Sequence, residues 1–523
     1  MGEIKGKVRD QYRMFCLEEE IASDSEVRFF DQFVDSMNLS ELGFTIRESK
    51  TTGRRAYSTS SLVKLYIYGY YNDIRSSRRL AKACRINLEL KWLIGEMCPS
   101  YKTISEFRRL NVEGISNIFD YLMLFLRNQG YFKDESTIAV DGTRLHGQNS
   151  RMQNFNEQKL NQLIVRAEKQ IEQYLEELDQ GDDQEQDKRP SIQGRNKKDI
   201  RDRANKEEKL KKIQSNLSKN KRRLEDLESS QEKQISYTDT DSRRMARLRE
   251  SPIIGYNGQI ATTGQKKFIV ASDVKNIPDI NTLAGMAKQA QANLGKKKLA
   301  VLADSGFSES EQLYECHEAG MITYVPNKGE PHSKAKGDFA KSKFTYDEQK
   351  DVYICPNNKE LSSNGNWSTR NTKGRKPKRY KEYYMKKSGC MTCPFRAKCQ
   401  TPKEIQVNKQ KLIRQYEYEE YRQASHQRAK SDSKYYKQRK AIVEHPFGTL
   451  KRSMGFTYFL LRGLKKVNAE FRLICSCYNI KRLFNLEGVK RLIEGLKRLF
   501  YRIYVFFLLP SLRQDHSRLS HSY

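Results

Sequence analysis

STIAVDGTRL, residues 136–145, is a short run of β-branched and apolar residues that meets an Asp-Gly pair at Asp141. Such a run favours a strand, and an acid near its end stands where open α/β sheets bind ligands. A second run has the same form. KLAVLADSGF, Lys298–Phe307, reads as a buried strand ending at Asp304, with Gly306 two residues on. SESEQLYECHEAG then reads as a helix with Ser308 as its N-cap and Gly320 near its end, and MITYVPNK as another strand. This strand–helix–strand unit is expected to be parallel and right-handed. Upstream, SPIIGYNGQIATTGQKKFIVASDV predicts an antiparallel hairpin around a Gly-Gln-Lys-Lys turn, and NTLAGMAKQAQANLG a helix. Together these pieces predict an α/β core, a mixed sheet flanked by helices and interrupted by insertions.

Working outward, residues 1–132 form a helical N-terminal domain, with apolar residues at three- and four-residue spacing in SSLVKLYIYGYYNDIRSSRRLAKACRINLELKWLIG. Two short helices, a turn and the basic SYKTISEFRR suit a helix-turn-helix-like DNA reader or, equally, a helical bundle with a basic face. The core spans 133–327 and holds an insert at 154–232, rich in Lys, Glu, Gln and Leu, which predicts two long charged helices around the break LDQGDDQEQDKRPSIQGRN. A polar linker, Pro326–Gly337, leads into a Cys-rich insert at 328–430 with a hairpin over FTYDEQKDVYICP. Residues 431–523 return to helices, and LFYRIYVFFLLPSL, Leu499–Leu512, is expected to pack on the body because Arg502, Pro510 and its length unsuit it to a bilayer.

The 523 residues carry a formal net charge of +32, with pI near 9.6. The excess is spread along the chain, which points to an extended polyanion, nucleic acid rather than a membrane surface. From Ser431 onward there are 19 Lys/Arg against 6 Asp/Glu. MGEIKGKVRDQYRMF lacks the apolar stretch of a secretory signal, and the ten Cys are expected to be reduced.

Within that basic C-terminal segment, KQRKAIVEHPFGTLKRSMGF, Lys437–Phe456, holds one acid, Glu444, among Lys437, Arg439, Lys440, Lys451 and Arg452. Asp141, Asp304 and Glu444 would give two strands and a helix three hard oxygen donors, enough for a Mg²⁺ pair completed by water and phosphate. The surrounding cations would hold the strand being cut. Taken singly, each acid has a plainer reading: a turn, an N-cap, or a helix salt bridge.

The blocks IAVDGT, DTDSRRM, GYNGQIA, LADSGF and RKAIVEHPFGTLKR resemble those of bacterial insertion-sequence DDE transposases, in the subgroup with a helical N-terminal domain and a Cys-bearing insert before the Glu. The resemblance runs from about Ser58 to Asn485. It implies an RNase H-like core and a catalytic triad of Asp141, Asp304 and Glu444. It further implies two Mg²⁺ (or Mn²⁺) ions per site, hydrolysis at inverted-repeat transposon ends, and transesterification into target DNA. A homodimer on DNA and a bacterial, cytoplasmic, nucleoid-associated location go with it. Related transposases carry a Tyr-Arg-Glu-Lys signature, with Arg four before the Glu and Lys seven after. Lys451 matches the last place, but Lys440 stands in the Arg place beside Arg439, and Lys437 in the Tyr place beside Tyr436. Pro446 either kinks the helix after Glu444 or begins a new one.

In DTDSRRM, two acids, Asp239 and Asp241, and two Arg, Arg243 and Arg244, are expected to bind DNA or to lock the insert to the core; an approach of the two acids to the metals is the less favoured alternative. Tyr256, Asn257 and Gln259 are expected to touch substrate. Cys355, Cys390, Cys393 and Cys399 form C-x34-C-x2-C-x5-C, which suits either a closed tetrahedral zinc site or four reduced, unliganded thiols. Cys316 with His317, and Cys475 with Cys477, read as buried helix residues. The rivals to a transposase are an RNase H-like nuclease without strand transfer and a domesticated, transposase-derived DNA-binding protein.

Overall fold

The structure, a computed structural model, describes residues 14–498 apart from 15, 47–55, 187–196, 231, 248–249, 278, 328–338, 340 and 373–374. The apolar tail from Leu499, most of the linker Pro326–Gly337 and the second half of the hairpin break lie outside the described residues. The chain divides into two compact units. One comprises Met1–Gly147, Tyr256–Lys328 and Tyr418–Tyr523; the other comprises Gln148–Gly255 and Gly329–Glu417.

The first unit opens with seven helices, α1 (Leu17–Glu20), α2 (Glu26–Asp35), α3 (Thr59–Tyr71), α4 (Ser77–Ile86), α5 (Leu88–Ile94), α6 (Tyr101–Leu110) and α7 (Val112–Asn128). α3 is apolar on every side and buried from Leu62 to Tyr71, so it lies inside the bundle rather than on it. The Asn87 side chain caps α5 by accepting the Leu90 N–H, and Gly95 ends that helix in the left-handed region. Strand β1 (Thr137–His146) follows. It outruns the sequence expectation: Asp141 lies within the strand, not at its end.

In the second unit, the two-residue strands β2 (Asn154–Phe155) and β3 (Ile235–Ser236) pair at the base of two long helices, α8 (Glu157–Gln186) and α9 (Lys197–Ser229). Phe155, Leu160 and Leu227 make a small core there, and the Glu168–Lys221 ion pair, at 2.8 Å, links the helices. The charged hairpin is therefore as expected. β4 (Arg243–Arg247) then pairs antiparallel with the opening residues of β5 (Glu250–Thr263).

From Tyr256 onward β5 belongs to the first unit, where it pairs antiparallel with β6 (Ile269–Lys275) across the predicted Gly264–Lys267 turn. After α10 (Leu283–Leu294) come β7 (Leu299–Ala303), α11 (Ser310–Glu318) and β8 (Met321–Tyr324). β1, β7 and β8 run parallel, and the strands lie in the order β6-β5-β1-β7-β8. This is the mixed sheet expected of the core. One detail differs: Glu309, not Ser308, precedes α11, because Ser308 donates its hydroxyl to Ser305 O in a 3₁₀ turn capped by Asp304.

The rest of the second unit is a small sheet of β9 (Thr345–Asp347), β10 (Val352–Ile354), β11 (Glu360–Ser363), β12 (Ser368–Thr372), β13 (Arg375–Met385) and β14 (Leu412–Tyr416), with short helices α12 (Lys387–Met391), α13 (Arg396–Cys399) and α14 (Pro402–Gln406). Its core gathers Phe344, Tyr353, Leu361, Tyr383, Met385, Cys390 and Ile413.

The first unit closes with α15 (Glu419–Ser431), α16 (Ser433–Gly448) and α17 (Leu464–Glu487). α16 continues through Pro446 and widens into a π turn at Thr449–Ser453, one way a helix absorbs a missing donor. α17 packs on α7, α3 and β6, so N-terminal helices, sheet and C-terminal helix share one apolar core. Glu470 on α17 is buried there. Its carboxylate accepts the Leu460 and Leu461 N–H groups and the Tyr70 hydroxyl, with Arg75 4.0 Å away. Cys316, Cys475 and Cys477 are buried helix residues, as expected, whereas His317 on the same helix as Cys316 is exposed, its ring 4.9 Å from that of Tyr421. No helix among the described residues is long and apolar enough to cross a membrane.

Candidate active site

Parallel pairing sets the site. β1 and β7 are in register through Val140 opposite Ala303, so the next residue along each is an acid, Asp141 within β1 and Asp304 just past the end of β7. Each carboxylate is fixed by local backbone: Asp141 Oδ1 accepts the Gly142 N–H at 2.8 Å, and Asp304 Oδ1 accepts the Gly306 N–H at 2.7 Å. A third acid, Asp279, comes from the loop between β6 and α10. Its Oδ1 accepts the Asn257 Nδ2 amide at 2.8 Å and the Gln259 Nε2 amide at 3.0 Å. A Cβ on Gly142 would lie 2.4 Å from that Oδ1, so glycine here is what lets the acids approach.

Burial pushes the Asp141 carboxyl up to about 6; Arg439 and the Gly142 N–H oppose that rise, while Asp304 and Asp279 add to it. Arg439 Nη1 donates to Asp141 Oδ2 at 3.2 Å. It arrives on α16, which lays Ile442 and Val443 against Ala139 of β1 and Leu302 of β7. Tyr435 anchors the same helix through its hydroxyl to Thr137 Oγ1, at 2.7 Å. Tyr436 hydrogen-bonds Arg439 and feels the charges of Asp304 and Asp141; burial raises its hydroxyl pKa. Tyr436 and Arg439, not Lys437 and Lys440 in the signature places, therefore face the acids. With 3.6 residues per turn, that face continues to Val443.

The other expected site residues are dispersed. Glu444 follows Val443 on α16 and is exposed; among the described residues its carboxylate has no hydrogen bond or ion pair, and no contact joins it to Asp141 or Asp304. Lys440 and Arg452 are exposed, and Lys451 lies 6.0 Å from the Phe447 ring. In the second unit, Arg243 pairs with Glu232 at 3.1 Å and donates to Thr240 O and Ser242 O, while the Arg244 N–H donates to Gln234. Tyr256, Asn257 and Gln259 are buried at 0, 3 and 0% exposure. Burial removes them from substrate: Tyr256 packs on Phe459, and the two amides hold Asp279. Asp279 itself escaped sequence reasoning, because KNIPDIN carries no strand or helix periodicity to mark it.

Cys355, Cys390 and Cys399 border the small core of the second unit. The Lys359 N–H donates to Cys355 Sγ at 3.4 Å, the Lys411 N–H to Cys390 Sγ at 3.5 Å, and Asn357 Nδ2 to Cys393 Sγ at 3.7 Å. Burial raises the Cys399 thiol pKa; Lys411 opposes it, and the other three thiols add to it. Among the described residues, no three His, Cys, Asp or Glu side chains stand gathered as a finished metal site.

Two segments match known families. Residues 354–484 match the transposase DDE domain, and residues 15–110 match a transposase domain, DUF772. The first match takes in Glu444 and the four Cys but neither Asp141 nor Asp304. Among solved structures, a piggyBac transposase synaptic complex with hairpin DNA is similar at 10% identity over 95% of this chain and 85% of that one; its TM-score of 0.31 is too low to bear on the site. No curated protein matches the sequence.

Proposed function

We propose that this chain, a DNA transposase with a transposase DDE domain, cuts and rejoins phosphodiester bonds at the sheet edge where Asp141 and Asp304 meet. The observation that carries this placement is the β1–β7 register, which sets two carboxylates side by side on neighbouring parallel strands. Divalent metal is the cofactor that suits them. Both acids are hard oxygen donors, and a Cβ on Gly306 would lie 2.7 Å from Asp304 Oδ1, so the glycines keep room beside the carboxylates. Two Mg²⁺ or Mn²⁺ ions bound there would neutralise charge at the scissile phosphate and activate the attacking hydroxyl.

The chain's own groups do the rest. Asp141 and Asp304 are the ligands, oriented by the Gly142 and Gly306 N–H groups. Asp279 is a positioning residue: tied to Asn257 and Gln259, it fixes how Gly142 and Gly306 sit against it. Arg439 shields Asp141 when no substrate is bound and is placed to turn to a phosphate oxygen. Glu444 completes the metal-binding triad; with no other contact to break, its carboxylate is available to the metals. Lys440, Lys451 and Arg452 supply positive charge along the DNA path, and Arg243 and Arg244 add two cations next to the helical insert of the second unit. The substrates in this reading are inverted-repeat ends and target duplex. Because two ends must be joined, the working form is a homodimer on DNA, at the bacterial nucleoid.

The four Cys bind one structural zinc in the same reading. Support comes from backbone N–H groups aimed at Cys355 and Cys390 sulfurs, the donor pattern that steadies thiolates. Binding draws the four sulfurs together rather than filling a finished cage. Purified protein should hold one zinc per chain by elemental analysis, and Cys393→Ser should lose it; metal-free wild-type protein would remove this part of the reading.

Asp304→Asn tests the active site. It should abolish cleavage of end-bearing DNA while end binding stays within about twofold of wild type, since one neutralised acid costs no base or phosphate contact. Cleavage at wild-type rate would move the chemistry elsewhere.

A further inference from the structure

We propose that the β12–β13 ribbon of the Cys-rich unit is a duplex-DNA contact of its own, entering a groove with cations on both faces. The inference rests on the transposase reading only in taking DNA as the polyanion. From Trp367 to Lys387 the sequence carries nine Lys/Arg and one acid, Glu382. β13 is longer than the sheet it belongs to. Tyr380 to Met385 pair with β11 and β14, whereas its first half pairs with β12 alone, Arg370 opposite Lys378 and Thr369 opposite Arg379. The result is a two-stranded ribbon continuing past the sheet, and its described residues on β12 are exposed. Five residues of strand span about 16 Å. The major groove of B-DNA, about 12 Å wide, admits a two-stranded ribbon.

The side chains fit that occupant. Arg370 and Lys378 are direct cross-strand partners, so one face of the ribbon carries two cations side by side. On the other face, Arg379 and Lys381 sit 5.4 and 5.3 Å from the Trp367 ring, which is 40% exposed. Their own ion pairs, with Glu417 and Asp351, hold them in place at 2.9 and 3.4 Å.

The test uses the full chain and fluorescence anisotropy over a salt series. One probe is a duplex with the element's flanking sequence, and the other a random duplex of equal length. The triple variant Arg370→Ala, Lys378→Ala, Arg379→Ala should bind at least about tenfold more weakly, its log–log salt slope smaller by up to about 2.7. Arg370→Ala alone, on an exposed residue, should lose about 0.9 of slope without any effect on folding. Arg370→Lys should restore it. Weakening on the flanking duplex alone assigns the ribbon to transposon ends; equal weakening on both assigns it to sequence-independent contact, as with target DNA. Wild-type affinity and slope for both alanine variants on both probes would overturn the ribbon while leaving the transposase reading intact. A wild-type chain that binds neither probe would overturn both.

Discussion

Gly142 is the residue on which the carboxylate cluster turns. Alanine there would push a Cβ to 2.4 Å from Asp279 Oδ1 and 2.8 Å from Asn257 Oδ1, both held by the same hydrogen-bond network. Gly142→Ala should therefore cost about 1–3 kcal/mol in a urea melt, the usual range for overpacking, and lower cleavage more than DNA binding. Asp141 makes the opposite prediction for stability. Its folded pKa, near 6 rather than 3.8, means that the native state holds a proton which the unfolded chain has released between those values. The stability from that proton is fully present below about pH 4 and is lost as pH rises through 6. Asp141→Asn should therefore stabilise the metal-free protein at pH 7 by up to about 3 kcal/mol and flatten its melting profile between pH 4 and 6. A variant no more stable than wild type would contradict the buried setting. Asp141 and Asp304 were legible in the sequence because each interrupts an apolar run. Asp279 was not, since its place depends on which strands are neighbours, and that is decided by pairing far along the chain.

At the scale of elements, α16 and α17 carry most of what local sequence left open. Pro446 gave two alternatives, and packing decided between them: Ile442 and Val443 bind the helix to the sheet on the proline's N-terminal side, and the π turn follows on the other. The offset in the signature has a similar cause. Which residues of α16 face the acids depends on the helix's rotation over β1 and β7, so Tyr436 and Arg439 take places that spacing alone gave to Lys437 and Lys440. The strand–helix–strand unit, the hairpin around Gly264–Lys267 and the long charged helices were legible, because each rests on periodicity or turn chemistry within its own span. In α17, Glu470 satisfies two backbone N–H groups and a tyrosine hydroxyl while facing Arg75 and Arg108. Glu470→Ala would strand these partners, and should cost about 3–5 kcal/mol by chemical denaturation. A loss under about 1 kcal/mol would mean that water fills the gap.

Across the whole molecule, the +32 charge spoke for a polyanion from the start, but it also concealed where DNA is held. Against so basic a background the Trp367–Lys387 run does not stand out; only strand pairing shows it as a ribbon. The family match points to a transposase, and the central proposal is that Asp141, Asp304 and Glu444 together perform its chemistry. Excision in cells tests it most directly. A marker flanked by the gene's own bordering DNA is placed on a plasmid, and wild type is compared with Asp304→Asn and Glu444→Gln at matched expression. Excision by wild type alone is the predicted result. Excision that persists in Glu444→Gln would remove that residue from the triad, and excision that persists in Asp304→Asn would contradict the site itself.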